Sequence, residues 1–213
     1  MARILDEDYA YATARIRAME NKLITPQQYE RMLDASSAED IVKMLVEQGY
    51  GMGDVDISQP AVYVSERLLS DEMKKAYALL NEILPLPEAI TLFMRRNDYL
   101  NAKLILKGSF LGSDNPGVYA HSGTVDPSRL RSMIVDRSLA DLPEVFRKAI
   151  LESIDYYGRS GDPQMIDFIL DRAMYENMES DARMIKVPYI SELVALLHDT
   201  ANIRIFIRAK LLN

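Results

Sequence analysis

Cysteine is absent from this chain of 213 residues, which excludes a disulfide framework, thiolate zinc sites and a cysteine nucleophile, and accords with a reducing compartment. Histidine is scarce, with His121 and His198 the two present, so a histidine-rich metal site has little to draw on. Long apolar runs are missing. No stretch reaches the roughly 18 apolar residues a membrane span requires, and the start of the chain carries Asp6, Glu7 and Asp8 in place of a leader's apolar core. A soluble chain without a signal peptide is therefore expected. Positive charge is in deficit too: 25 Lys and Arg against 32 Asp and Glu leave a net charge of −7. Nucleic acid and anionic lipid are polyanions held by clustered Lys and Arg, so the expected partner is protein.

What the chain does have is helical periodicity, over a length able to bury a sizeable core with 48% apolar residues. Tyr9, Ala12, Ile16, Met19 and Leu23 recur at three- and four-residue steps and predict an amphipathic first helix. Thr25-Pro26 and Asp126-Pro127 each read as a capping residue followed by proline in the first helical turn. They should open helices carrying the apolar residues Tyr29, Met32 and Leu33, and Leu130, Met133 and Ile134, respectively. Ser37 to Asp40 opens a helix through Ile41, Met44 and Leu45 that ends at Gly49, in the run Gly49-Tyr50-Gly51-Met52-Gly53. Asp141 with Glu144 three residues on resembles a capping box ahead of an apolar stripe of Phe146, Ile150 and Ile154. A turn at Gly158 to Gly161 and the cap Asp162-Pro163 lead to a helix burying Ile166, Ile169, Leu170, Ala173 and Met174. Strand signals are weak, and Ser109 to Gly123 reads as the one long loop.

The sequence also repeats itself at an offset of 101 residues. Pro26 matches Pro127, Met32 matches Met133, Leu69 matches Leu170, Met73 matches Met174 and Pro87 matches Pro188. The fullest match lays Asn97 to Lys107 over His198 to Arg208. Both copies read Asp-x-x-Asn-x-basic, three apolar residues and a second basic residue. Two tandem helical units, 1–112 and 113–213, are expected. The second copy of the motif ends near Ala209, four residues before Asn213, so a third unit is expected to be absent from the sequence.

Within the motif, Asp98 and Asn101 share one helix face, and Lys103 and Lys107 share another. In the second copy the same places hold Asp199, Asn202, Arg204 and Arg208. Two polar stripes flanking an apolar seam can satisfy buried groups at a helix junction or can line a partner surface repeated about an axis. Other patterns carry less chemistry. His198-Asp199 is the dipeptide of the HD metallohydrolases, but further ligands are lacking and the first copy has Asn97-Asp98 in its place. Gly49-x-Gly51-x-Gly53 follows a helix and lacks the Lys-Ser/Thr ending of a phosphate loop. No catalytic, cofactor-binding or metal-ligating set is nominated, and no cofactor is expected. The twelve methionines read as core filler.

The run Tyr9 to Ile24, with Asn97 to Gly108 and Asp199 to Lys210, closely resembles the C subunits of bacterial and archaeal V/A-type ATPases, the family of the eukaryotic d subunit. The resemblance extends in order through the Asp141 to Met178 helices. It implies an all-α fold of three homologous helical units in a funnel with a pseudo-threefold axis, of which this chain resembles the first two. It further implies a non-catalytic rotor connector that sits on the membrane proteolipid ring and receives the central shaft, transmitting torque coupled to proton or sodium transport. The implied location is cytoplasmic, peripheral to the inner face of the membrane. The alternatives are a helical adaptor outside any ATPase and, on the HD dipeptide, a metal-dependent hydrolase.

Overall fold

Hydroxyl, carboxylate and proline residues set the helix boundaries. Thr25 accepts from the backbone N–H of Gln28, whose side chain accepts from the Thr25 N–H at 2.8 Å, and Pro26 supplies the first turn of the helix that follows. Ser37 accepts from the Asp40 N–H, and Asp126 from the N–H groups of Ser128 and Arg129. The computed structural model describes residues 5–51, 60–113 and 115–211. Among these the chain is all-helical, with no strand: α1 (Ala10–Glu20), α2 (Pro26–Leu33), α3 (Ala38–Glu47), α4 (Ala61–Ile83), α5 (Glu88–Leu111), α6 (Pro127–Val135), α7 (Glu144–Ser160), α8 (Gln164–Ile185) and α9 (Pro188–Leu211). No helix among the described residues is long and apolar enough to cross a membrane.

The helices gather into two compact units, Met1–Pro87 and Glu88–Asn213. In the first, α3 packs on α4 around buried Val42, Ala61, Val64 and Leu68. Gly49 and Gly51 take positive φ values of 87° and 95° after α3, where a side chain would be strained. Glu72 then accepts from the Gly51 N–H at 2.8 Å, and Lys75 donates to the Gly51 carbonyl. Met52 and Gly53 of the expected glycine turn lie outside the described residues. The stripe predicted for the first helix is not buried: Ala12 is the one buried residue of α1, while Tyr11, Ile16, Met19 and Leu23 are exposed. In α2, likewise, Met32 is buried but Tyr29 and Leu33 face solvent.

The second unit holds the larger core. Tyr99, Ile105 and Leu106 of α5, Leu130 of α6, Phe146 and Ile150 of α7, and Ile166, Leu170 and Met178 of α8 are almost wholly buried. Each such side chain contributes about 1.5–3 kcal/mol of transfer free energy. The stripe predicted for α8 is buried as expected, and the three apolar positions of α6, Leu130, Met133 and Ile134, are buried as well. Three boundaries differ from the sequence reading. α5 runs through Ser109 to Leu111, because Gly108 is buried inside the helix and does not end it. α7 starts after Pro143, so Asp141 pairs with Arg129 at 3.2 Å and Glu144 with Lys148 in place of a capping box. It continues through Gly158 to Ser160, and the turn is made by Gly161 at φ 67°.

The packing boundary at Pro87 does not coincide with the boundary after residue 112 that the sequence repeat leads one to expect. Helix α5, which carries the first copy of the motif, packs on α6, α7 and α8.

Candidate functional site

The Asp-x-x-Asn motif of α5 holds a strap, residues 120–125, against the helix. Asn101 accepts from the Ala120 N–H and donates to the Ala120 carbonyl, both at 2.8 Å. One turn earlier, Asp98 accepts from the N–H groups of Thr124 at 2.9 Å and Val125 at 3.1 Å, and from the Thr124 hydroxyl. Asn97 adds bonds to the carbonyl and hydroxyl of Ser122. Asp98 and Asn101 are 2% and 0% exposed, so burial without these partners would cost each of them heavily. Burial pushes the Asp98 carboxyl above its ordinary value, and the bonds from Thr124 and Val125 pull the other way.

The basic half of the motif faces α8. Lys103 pairs with Asp171 and Lys107 with Asp167, each at 2.5 Å, so two lysines one turn apart meet two aspartates one turn apart. Further along the same junction Arg95 pairs with Asp181 at 2.7 Å, and Asn177 donates to the same Asp181 oxygen. Burial raises the Asp181 carboxyl, against the influence of Arg95 and Asn177. Tyr99 donates to the Ala173 carbonyl at 3.2 Å, and burial raises its hydroxyl as well. At this copy the motif closes a helix junction on two sides, against the strap and against α8.

The second copy stands differently. Asp199, Asn202, Arg204 and Arg208 are exposed and make no side-chain hydrogen bond or ion pair among the described residues. Ile203, Ile205, Phe206 and Ile207 are 50–63% exposed, whereas of the matching Ala102, Leu104, Ile105 and Leu106 of α5 only Leu104 is more than 1% exposed, and it is partly buried. Ile190 and Val194 anchor α9 to the core, and no described residue of α9 beyond Val194 is buried. A groove of about 240 Å³ opens between α8 and α9, lined by Glu179, Ser191, His198 and Asp199 among others. His198 stacks on Tyr175 and pairs with Glu179 at 3.0 Å. Among the described residues no group of three or more His, Asp and Glu side chains is placed to hold a metal ion.

The structure thus brings Asp98, Asn101, Lys103 and Lys107 together at one buried junction and leaves Asp199, Asn202, Arg204 and Arg208 on one open helix. Sequence reasoning missed the strap, Gly123 and the acceptors Asp167 and Asp171. The four-residue spacing of those two aspartates mirrors that of Lys103 and Lys107 and was the available signal.

Residues 12–213 match the family model described as ATP synthase (C/AC39) subunit. The chain is 25% identical to the C subunit of the V-type sodium ATPase of Enterococcus hirae, over 92% of this chain and 59% of that protein. It is 25% identical to the C subunit of the A-type ATP synthase of Thermococcus kodakarensis, over 95% and 57% of the two chains. Against the C subunit of the V-type ATP synthase of Thermus thermophilus the identity is 22%, over 93% and 62%. The chain spans between half and two thirds of the length of these relatives. No solved structure matches it.

Proposed function

The chain belongs to the ATP synthase (C/AC39) subunit family, and from that premise we propose that it serves in a V/A-type rotary ATPase as a non-catalytic connector between the central shaft and the membrane proteolipid ring. The observation that carries this reading is the extent of the likeness. The family match runs over residues 12–213, and relatives named as C subunits align over more than nine tenths of the chain. In this role the chain transmits torque coupled to proton or sodium transport, with ATP chemistry performed by other subunits. It lies in the cytoplasm, peripheral to the inner face of the membrane.

Torque transmission requires elements that resist shear between packed helices. The contacts of α5 with α7 and α8 offer both kinds of resistance: an apolar core that includes Tyr99 against Phe146 of α7, with ring centroids 4.3 Å apart, and three ion pairs to α8 spread along the helices at Arg95, Lys103 and Lys107. Size-exclusion chromatography with light scattering tests the role. The chain is mixed with the purified shaft subunits of a matching rotary ATPase and, separately, with its proteolipid ring. Co-elution with either supports the connector. Failure with both, under conditions where shaft and ring themselves assemble with a full-length C subunit, contradicts it.

A further inference from the structure

Two polar networks meet on α5 without a bond between them. The first ties the strap to the helix: the Asp98 carboxylate accepts from the N–H groups of Thr124 and Val125 and from the Thr124 hydroxyl. The second ties α8 to the helix: Asp181 accepts from Arg95 at 2.7 Å and from Asn177 at 2.9 Å. Arg95 and Asp98 stand three residues apart, close enough on a helix for their side chains to meet. Arg95 nevertheless pairs with Asp181, and no ion pair among the described residues joins it to Asp98. Between the two networks lies a cavity of about 10 Å³, lined by Arg95, Asp98, Tyr99 and Asn177, with Thr124 and Phe146 also in its wall. That is about the space one water needs, and it is too small for an organic ligand.

The charges of the wall choose among small occupants. A cation would face the Arg95 guanidinium and an anion the Asp98 carboxylate, so either ion is opposed from one side. A neutral dipole is opposed by neither. The bonding positions left over suit it as well. A carboxylate offers about four acceptor positions, and the strap donors on Asp98 are three. Arg95 carries further N–H groups beyond the one given to Asp181. Tyr99 gives its O–H to the Ala173 carbonyl and keeps its oxygen as an acceptor, while the Asn177 oxygen lies 3.5 Å from Tyr99, the outer limit of a bond.

We propose that this cavity is the site of a single buried water, which accepts from Arg95, donates to Asp98 and to the oxygen of Asn177 or Tyr99, and so joins the strap to α8 through one continuous polar network. About three bonds is the usual number for a buried water. Burial raises the Asp98 carboxyl and the Arg95 charge draws it down, so the two groups act on each other across this space. The hold of α5 on the strap then depends on Arg95 staying in place against Asp181. The site rests on the geometry of the second unit alone and stands independently of the rotor role.

A high-resolution crystal structure of the whole chain is the direct test, with crystals soaked in turn in rubidium chloride and in sodium bromide. The expected result is one ordered oxygen within about 3.2 Å of both the Asp98 carboxylate and an Arg95 nitrogen, with no anomalous signal from rubidium or bromide at that place. An empty cavity, an ion within it, or Arg95 in direct contact with Asp98 overturns the proposal. In solution, Asp181→Asn releases Arg95 from α8 and should speed amide exchange at Thr124 and Val125 several-fold. Asp171→Asn removes the same charge at the same helix junction but away from the cavity, and should leave those amides as in the parent. Rates unchanged by Asp181→Asn, or raised equally by both variants, contradict a network that runs from the strap to α8.

Discussion

The carboxylate of Asp98 lies against the backbone of Gly123 so closely that a Cβ at position 123 would collide with Oδ1. The glycine is required here by close approach and not by a turn, and it lets the next two N–H groups, of Thr124 and Val125, reach the same carboxylate.

Gly123→Ala should therefore loosen the strap. Overpacking at such a contact costs about 2 kcal/mol, which for a chain of this length lowers the thermal midpoint by roughly 4–8 °C. Differential scanning calorimetry on the variant checks this. A midpoint equal to the parent's would mean that the strap moves aside without loss.

The two motif asparagines should behave oppositely. Asn101→Leu leaves the part-buried N–H and carbonyl of Ala120 without their partner, and should lower the midpoint by several degrees. Asn202→Leu changes an exposed side chain and should leave the midpoint within about 1 °C of the parent. Equal losses in the two variants would contradict the difference between the copies.

The ion pairs between α5 and α8 should be coupled more strongly than those on the surface. Lys103 is 17% exposed and Asp171 49%, against 59% and 50% for Arg172 and Glu152. A double-mutant cycle to alanine should return about 1 kcal/mol for the first pair and about 0.3 kcal/mol for the second. Urea midpoints at low and moderate salt provide the reading, and a first pair no stronger than the second would argue against α5 and α8 being clamped electrostatically.

Acid should favour Asp98. Burial raises its carboxyl in the folded protein above the 3.8 of an exposed aspartate, so the folded state holds this proton more tightly than the unfolded chain does. The stability linked to that proton is complete below pH 3.8 and is lost as pH rises through the raised folded value. Relative to Asp98→Asn, which has no such proton, the parent should gain stability as pH falls from neutrality towards 4. Urea midpoints of the two proteins across that range decide it, and a gain in the opposite direction would refute the burial-dominated shift.

Much of the fold was legible because helix periodicity and capping are local. Thr25-Pro26, Ser37 and Asp126 start helices where their side chains can reach N–H groups two or three residues on, and the stripe from Ile166 to Met174 is buried as its spacing implied. Periodicity says which face of a helix is apolar, not whether anything covers it. That is why α1 and the far half of α9 carry the expected pattern and yet lie open. The loop expected from Ser109 and the turn expected from Gly158 both begin inside helices, and Gly108 and Gly158 are carried within them because one glycine costs a helix only about 1 kcal/mol. The site was half legible. The motif stood out by its repetition, but its partners lie 19 to 68 residues away in Ala120, Thr124, Asp167 and Asp171, and only folding brings them together.

The claim that one motif occurs here in a filled and an open state is tested most directly by amide hydrogen exchange, followed peptide by peptide along α5 and α9 in the chain alone. Backbone amides of residues 98–108 should exchange at rates set by unfolding of the whole second unit, and those of residues 199–209 should exchange orders of magnitude faster through local opening of an uncovered helix. Equal protection of the two segments would contradict the account, because α9 would then already be covered.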